Sequence, residues 1–140
     1  MLENSRIKYK ASLRIMGKDL QPDYITELLK ISPSYFHRRG DANVSPSGKH
    51  LGERSEGIWC LESTADPFLD IETHLLFLIQ QVEGKQHVFQ LLKKENFRLD
   101  ILIGVFGAEE TLGFSVKAEI LMALGVLGLQ VEFDIYTMLQ

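Results

Sequence analysis

Apolar and polar residues alternate from residue 7 to residue 16, with Tyr9, Ala11, Leu13 and Ile15 on one side and Lys8, Lys10, Ser12 and Arg14 on the other. A period of two with one apolar side predicts a half-buried strand, and Gly17 ends it. The same alternation returns twice near the C-terminus. Between Phe97 and Val105 the apolar set is Phe97, Leu99, Ile101, Ile103 and Val105, opposed by Arg98, Asp100, Leu102 and Gly104. Between Leu129 and Tyr136 it is Leu129, Val131, Phe133 and Ile135, opposed by Gln130, Glu132, Asp134 and Tyr136. A fourth strand is predicted over Gly57–Ser63, where Trp59 and Leu61 point one way and Ile58, Cys60 and Glu62 the other. Both of its sides are largely apolar, so the inward one stays open.

Helical spacing fills the intervals. Pro22 suits a first helical turn, Asp19 and Asp23 suit its positive end, and Ile25, Leu28 and Leu29 form the apolar stripe that stops at Ser32-Pro33. Ile71, Leu75, Leu78, Ile79 and Val82 make a second stripe, begun at Asp66-Pro67 or capped by Asp70 and closed near Gly84. A short third helix covers residues 86–94. A fourth begins with Ser115 as cap, carries Ile120, Leu121 and Leu124, and ends at Gly125 or Gly128. The interval 32–56 has two prolines, three glycines and no sustained period. It reads as an irregular region with a short strand near residues 34–39 and a mobile loop over 43–53.

Three strands with one polar side each predict an α+β fold: a mainly antiparallel sheet with helices packed on one face. The first six elements resemble a ferredoxin-like unit, extended by an extra helix and strand. At 140 residues the chain is read as one domain, 1–140. With 45% hydrophobic and 24% charged residues it has the composition of an ordinary globular protein, and nothing in it reads as disordered.

Charge and cysteine count narrow the function classes. A net charge of −4 leaves no surplus for a broad basic face, so no nucleic-acid partner is expected. Ile120–Leu129, the longest apolar run, is about half a membrane span, so no membrane partner is expected either. Cys60 is the single cysteine and residues 1–6 lack the apolar core of a secretion signal; the chain is therefore placed in the cytoplasm.

Motifs for catalysis are missing. His37, His50, His74 and His87 show no ligand spacing with each other or with Cys60, so no metal or other cofactor is expected. His74 borders its helix's apolar stripe and reads as a helix-surface residue. Ser45-Pro46-Ser47-Gly48-Lys49-His50 lacks the first glycine and the final hydroxyl of a phosphate loop. Cys60 reads as an inert strand residue, and no Gly-x-Ser-x-Gly elbow occurs. Asp100, Glu132 and Asp134 share the polar sheet side, where two carboxylates brought together would favour proton transfer. Lys8, Lys10, Arg14 and Arg98 project beside them, so cross-strand ion pairs are the plainer reading. The segment Tyr35-Phe36-His37-Arg38-Arg39-Gly40-Asp41 mixes aromatics with arginines, as binding hot spots do, and equally suits a cap over a core edge.

Several segments together resemble a known family. They are residues 12–15 with 17–22, Arg39-Gly40-Asp41, residues 57–63, residues 70–75, and residues 127–129 through 133–136. In that order and spacing they resemble the bacterial domain of unknown function 4279, with Phe36 standing where tryptophan is expected ahead of the basic-Gly-acidic turn. The resemblance implies a single-domain bacterial protein and transfers no activity and no site.

Three functions follow as expectations. The first is a non-enzymatic protein-binding module, in one form an immunity-type protein that masks a toxin. The second is a homodimer or larger homo-oligomer joined through a strand edge or the open face. The third is a small-ligand binder or enzyme using a pocket between the sheet face and the 32–56 region, lined by Arg14, Trp59, Glu62 and Asp100. The full set of candidate binding residues adds Asp134, Tyr136, Arg38 and Arg39.

Overall fold

Lys8–Gly17 forms β1, the middle strand of a five-stranded sheet in the order β2-β5-β1-β6-β7. The computed structural model describes residues 7–108 and 113–137; residues 1–6, on which the signal-peptide reading rested, lie outside them. After β1 come α1 (Pro22–Leu29), β2 (Tyr35–His37), β3 (Ala42–Val44), β4 (His50–Glu53) and β5 (Gly57–Glu62). Then follow α2 (Ile71–Gln81), α3 (Gln86–Lys94), β6 (Arg98–Ala108), α4 (Ala118–Leu127) and β7 (Gln130–Thr137). The architecture is mixed α+β.

Every neighbouring pair in this sheet is antiparallel except β6 with β7. That pair is parallel because α4 carries the chain back across the sheet between them, which a hairpin cannot do. The succession β1, α1, β2, β5, α2, β6 places the two later strands of its first half on one side of β1 and β6 on the other.

One core holds the molecule together. Ala11, Leu13 and Ile15 of β1, Trp59 and Leu61 of β5, and Leu99, Ile101, Ile103 and Val105 of β6 form its sheet side. All four helices close it, with Ile25 and Leu29 from α1, Leu75 and Leu78 from α2, Phe89 and Leu92 from α3, and Ile120 and Leu124 from α4. The side of β5 left open by its sequence is thereby settled. Register sets Trp59 opposite Ile15, and the indole N–H donates to Thr26 Oγ1 of α1 at 3.0 Å.

Helix ends follow local chemistry in one case and distant chemistry in another. Asp70, rather than Asp66, caps α2, since its Oδ1 accepts both the Thr73 amide at 2.9 Å and the Thr73 hydroxyl at 2.8 Å. Ser115 does not cap α4. Its cap position is Lys117, whose amide donates to the Glu72 carboxylate of α2 at 2.6 Å, so a residue 45 positions away fixes where the helix begins. Gly128 ends that helix in the left-handed conformation, φ 75°.

The 32–56 interval is more regular than its composition suggests. β2 pairs with β5 and extends the sheet, and β3 and β4 pair with each other as a separate two-stranded ribbon. Gly40 and Gly48, with φ of 92° and 90°, sit in the turns that let these short strands form, and Gly52, φ 99°, lies within β4 where its pairing with β3 is irregular. The ribbon's root is tied to the body by ion pairs of Arg39 with Asp19 (2.9 Å) and Arg98 with Glu56 (2.7 Å). Val44 and Leu51 stay about half exposed along its length.

Candidate functional site

The face of the sheet away from the helices gathers the polar positions of all three alternating strands. Register pairs Arg14 with Asp100 and Cys60, Ser12 with Glu62 and Leu102, and Gly104 with Lys10 and Asp134. Arg14, Glu62, Asp100, Asp134 and Tyr136 therefore share this face, as their strand parities require. Trp59 does not. Strand alternation turns it into the helix-covered core, where it is fully buried, so it lines no site on the open face. Arg38 and Arg39 also lie elsewhere, at the root of the ribbon beside the start of α1. Arg38 stands 5.4 Å from the Phe36 ring centroid and 3.8 Å from Asp23.

At the centre of the face Arg14 and Asp100 form a two-pronged pair. Nε donates to Oδ1 at 2.8 Å and Nη2 to Oδ2 at 2.7 Å. Asp100 is buried, and the planar fork satisfies both of its oxygens, which is what a carboxylate out of water needs. The cross-strand ion pair is thus the reading this register carries; no two carboxylates stand directly opposite, since Asp100 faces Gln130, Glu132 faces Leu102 and Asp134 faces Gly104. At the margin Lys10 pairs with Glu62 at 3.1 Å in a largely exposed bridge.

Around this centre lie aromatic groups. A Cβ at Gly104 would come within 2.9 Å of the Phe106 ring, so only glycine lets that ring lie back along its own strand. There it stacks on Tyr136, with centroids 4.8 Å apart and planes 2° from parallel. One residue further, β6 carries a bulge: Phe106 and Ala108 face consecutive residues of β7, and Gly107 between them takes φ 91°. On the far side Tyr35 of β2 stands over Cys60. Burial, reinforced by Cys60, pushes the Tyr35 hydroxyl up to about 12. The Cys60 thiol is fully buried and likewise raised by burial, with the donors Tyr35 and Ser12 opposing the shift, so it stays protonated and unreactive. The hollow between Arg14, Tyr35, Glu62, Phe106, Asp134 and Tyr136 measures about 220 Å³.

A second polar cluster lies on the helix side at the end of the sheet. His74 is only 1% exposed, not a helix-surface residue. Its Nδ1 meets the Ser63 hydroxyl at 2.8 Å, and that hydroxyl accepts the Ala65 amide at 3.2 Å. The other ring nitrogen, Nε2, is buried without a hydrogen-bond partner among the described residues. Burial lowers the His74 pKa from 6.5, against the opposing pull of the Asp66 carbonyl and the Asp70 charge, so the ring is neutral. The signal for this residue was available: His74 occupies the third position after Ile71 on a stripe that continues through Leu75 and Leu78. Its partner Ser63 was not legible, since an 11-residue separation carries no periodic signal.

Among the described residues no group of three or more His, Cys, Asp or Glu side chains is placed to hold a metal ion. No helix among them is long and apolar enough to cross a membrane.

These features define a mixed α+β domain whose sheet is helix-covered on one face and open on the other. The chain belongs to the family described as Domain of unknown function (DUF4279), whose model matches residues 7–138. No curated protein and no solved structure matches it.

Proposed function

We propose that the protein is a non-enzymatic binding module that receives a protein partner on the open sheet face. One observation carries this reading: the face without helices holds a stacked Phe106–Tyr136 pair and Tyr35 around an Arg14–Asp100 pair whose carboxylate is buried and whose guanidinium is partly exposed. Aromatic side chains and arginine at the centre of a patch, with charges such as Lys10, Glu62 and Asp134 at its margin, match the anatomy of protein interfaces. The central hollow of about 220 Å³ is smaller than the roughly 300–1,000 Å³ typical of ligand sites, which favours a surface partner over an enclosed metabolite. We read the β1-α1-β2-β5-α2-β6 unit as ferredoxin-like, on the strength of its strand order. A bacterial immunity-type protein that masks a toxin is the narrower form of the proposal. A toxin gene beside this one across genomes that carry the family supports that form, and its consistent absence removes it.

The test is site-specific photo-crosslinking in the native host. A crosslinker at Tyr35 or Tyr136 is expected to yield one discrete protein adduct, and the same group at Leu91, exposed on α3, none. Phe106→Ala combined with Tyr136→Ala then weakens that complex by about 2 kcal/mol or more. Adducts that do not depend on position overturn the proposal.

A homodimer is the second reading. It rests on Leu121, Met122 and Val126 of α4, which are 55%, 71% and 62% exposed, the last two lining a groove against the end of α2. Light scattering decides it: a monomeric mass at high micromolar concentration removes the dimer.

A further inference from the structure

A cavity opens where the start of β1 meets the β5–α2 connection, bordering the partner surface just proposed and sharing Lys10 and Phe106 with it. Two backbone bonds frame it: the Ser63 amide donates to the Ala11 carbonyl at 2.9 Å, and the Tyr9 amide to the Pro67 carbonyl at 2.8 Å. Three residues lie between Ser63 and Pro67, against one between Tyr9 and Ala11. The excess chain must leave the line of β1, and the space behind it is the cavity, about 510 Å³. That volume falls within the range of small-molecule sites.

Its lining is chemically divided. Tyr9, Ala65, Pro67 and Phe106 make an apolar wall, and the Ser63–His74 pair supplies a polar floor. Lys8 and Lys10 are the charged residues of the lining, and both are exposed at the mouth. Lys10 already engages Glu62, whereas Lys8 forms no ion pair among the described residues. The nearby Asp70 is turned to Thr73 as the α2 cap. An apolar wall under a cationic mouth selects a molecule that is greasy at one end and anionic at the other.

We propose that this cavity binds small monocarboxylic acids with an aliphatic or aromatic body, the body against Phe106, Pro67 and Tyr9 and the carboxylate at Lys8 and Lys10. The site shares Lys10 and Phe106 with the proposed partner surface, but its readout is small-molecule binding at His74, Ser63 and Ala65, so either reading can fail alone.

Octanoate and 3-phenylpropanoate, with the matched alcohols and amines, are the probes, titrated into the whole protein and followed by NMR at the His74 ring and the Ser63 and Ala65 amides. The expected result is saturable shifts with the acids, at least about tenfold tighter than with either matched compound, as a charge-assisted contact provides. Lys8→Gln with Lys10→Gln, both surface changes, is expected to remove that preference. Ala65→Leu, which fills the cavity, is expected to weaken all probes alike. No saturable shift at these resonances overturns the site, and equal affinity for acid, alcohol and amine overturns the ligand class.

Discussion

The two faces of one sheet are held by opposite means. On the helix side Leu13, Ile15, Trp59 and Ile101 interdigitate with four helices, and burial of apolar area does the stabilising. On the open side the same strands bury Ser12, Cys60 and Asp100 without any helix above them. There the cover comes from neighbouring side chains, Arg14 laid across Asp100 and Tyr35 over Cys60. A covered face tolerates apolar exchanges of similar volume. A face sealed by a few polar side chains depends on each of them being present, since an ion left behind is costly.

Cutting into the first face is expected to have the largest effect. Trp59→Ala removes a fully buried indole and its bond to Thr26, and urea unfolding is expected to show a loss of about 3–5 kcal/mol. Arg14→Met tests the second face. It strands the Asp100 carboxylate and is expected to cost about 3 kcal/mol, whereas adding Asp100→Leu restores most of the loss. If the double variant is no better than the single, the open face is not sealed by this pair in the way described.

A change of pH separates the sides further. His74 is held neutral by burial, so its folded pKa lies below the 6.5 of the unfolded chain. The unfolded state then binds the proton first, and stability present above pH 6.5 is lost as pH falls toward the lowered folded value. His37, also lowered by burial, adds in the same direction. The midpoint of denaturation is expected to drop between pH 7 and pH 5, and His74→Gln to flatten that drop. An unchanged slope removes His74 from the account. The smallest effect belongs to the exposed margin, where Lys10→Gln is expected to shift stability by less than about 0.5 kcal/mol.

Much of this contrast was legible before any coordinates. Alternation alone put Arg14, Asp100 and Asp134 on one side of a common sheet, and the register confirms that they share it. Alternation gives the side but not the depth. In β7 Phe133 and Ile135 stand opposite the core residues Ile103 and Val105, as their parity requires, yet are 40% and 50% exposed on this edge strand. It was also blind to Trp59's side, since both faces of β5 are apolar and only the register with Ile15 decides. Contacts made across the chain were hidden altogether. Glu72 at the start of α4, Ser63 against His74 and the Phe106–Tyr136 stack each join residues with no shared period.

The β3–β4 ribbon has a practical consequence. Two short strands without a third neighbour are marginal in water, and here they are anchored only at their base. Their amides are expected to trade hydrogen for deuterium long before those of β1, and a protease is expected to nick the turn at Ser47-Gly48 while the remainder stays folded. That turn is the place to graft a fluorophore or an affinity handle, because a guest there leaves both faces of the sheet untouched.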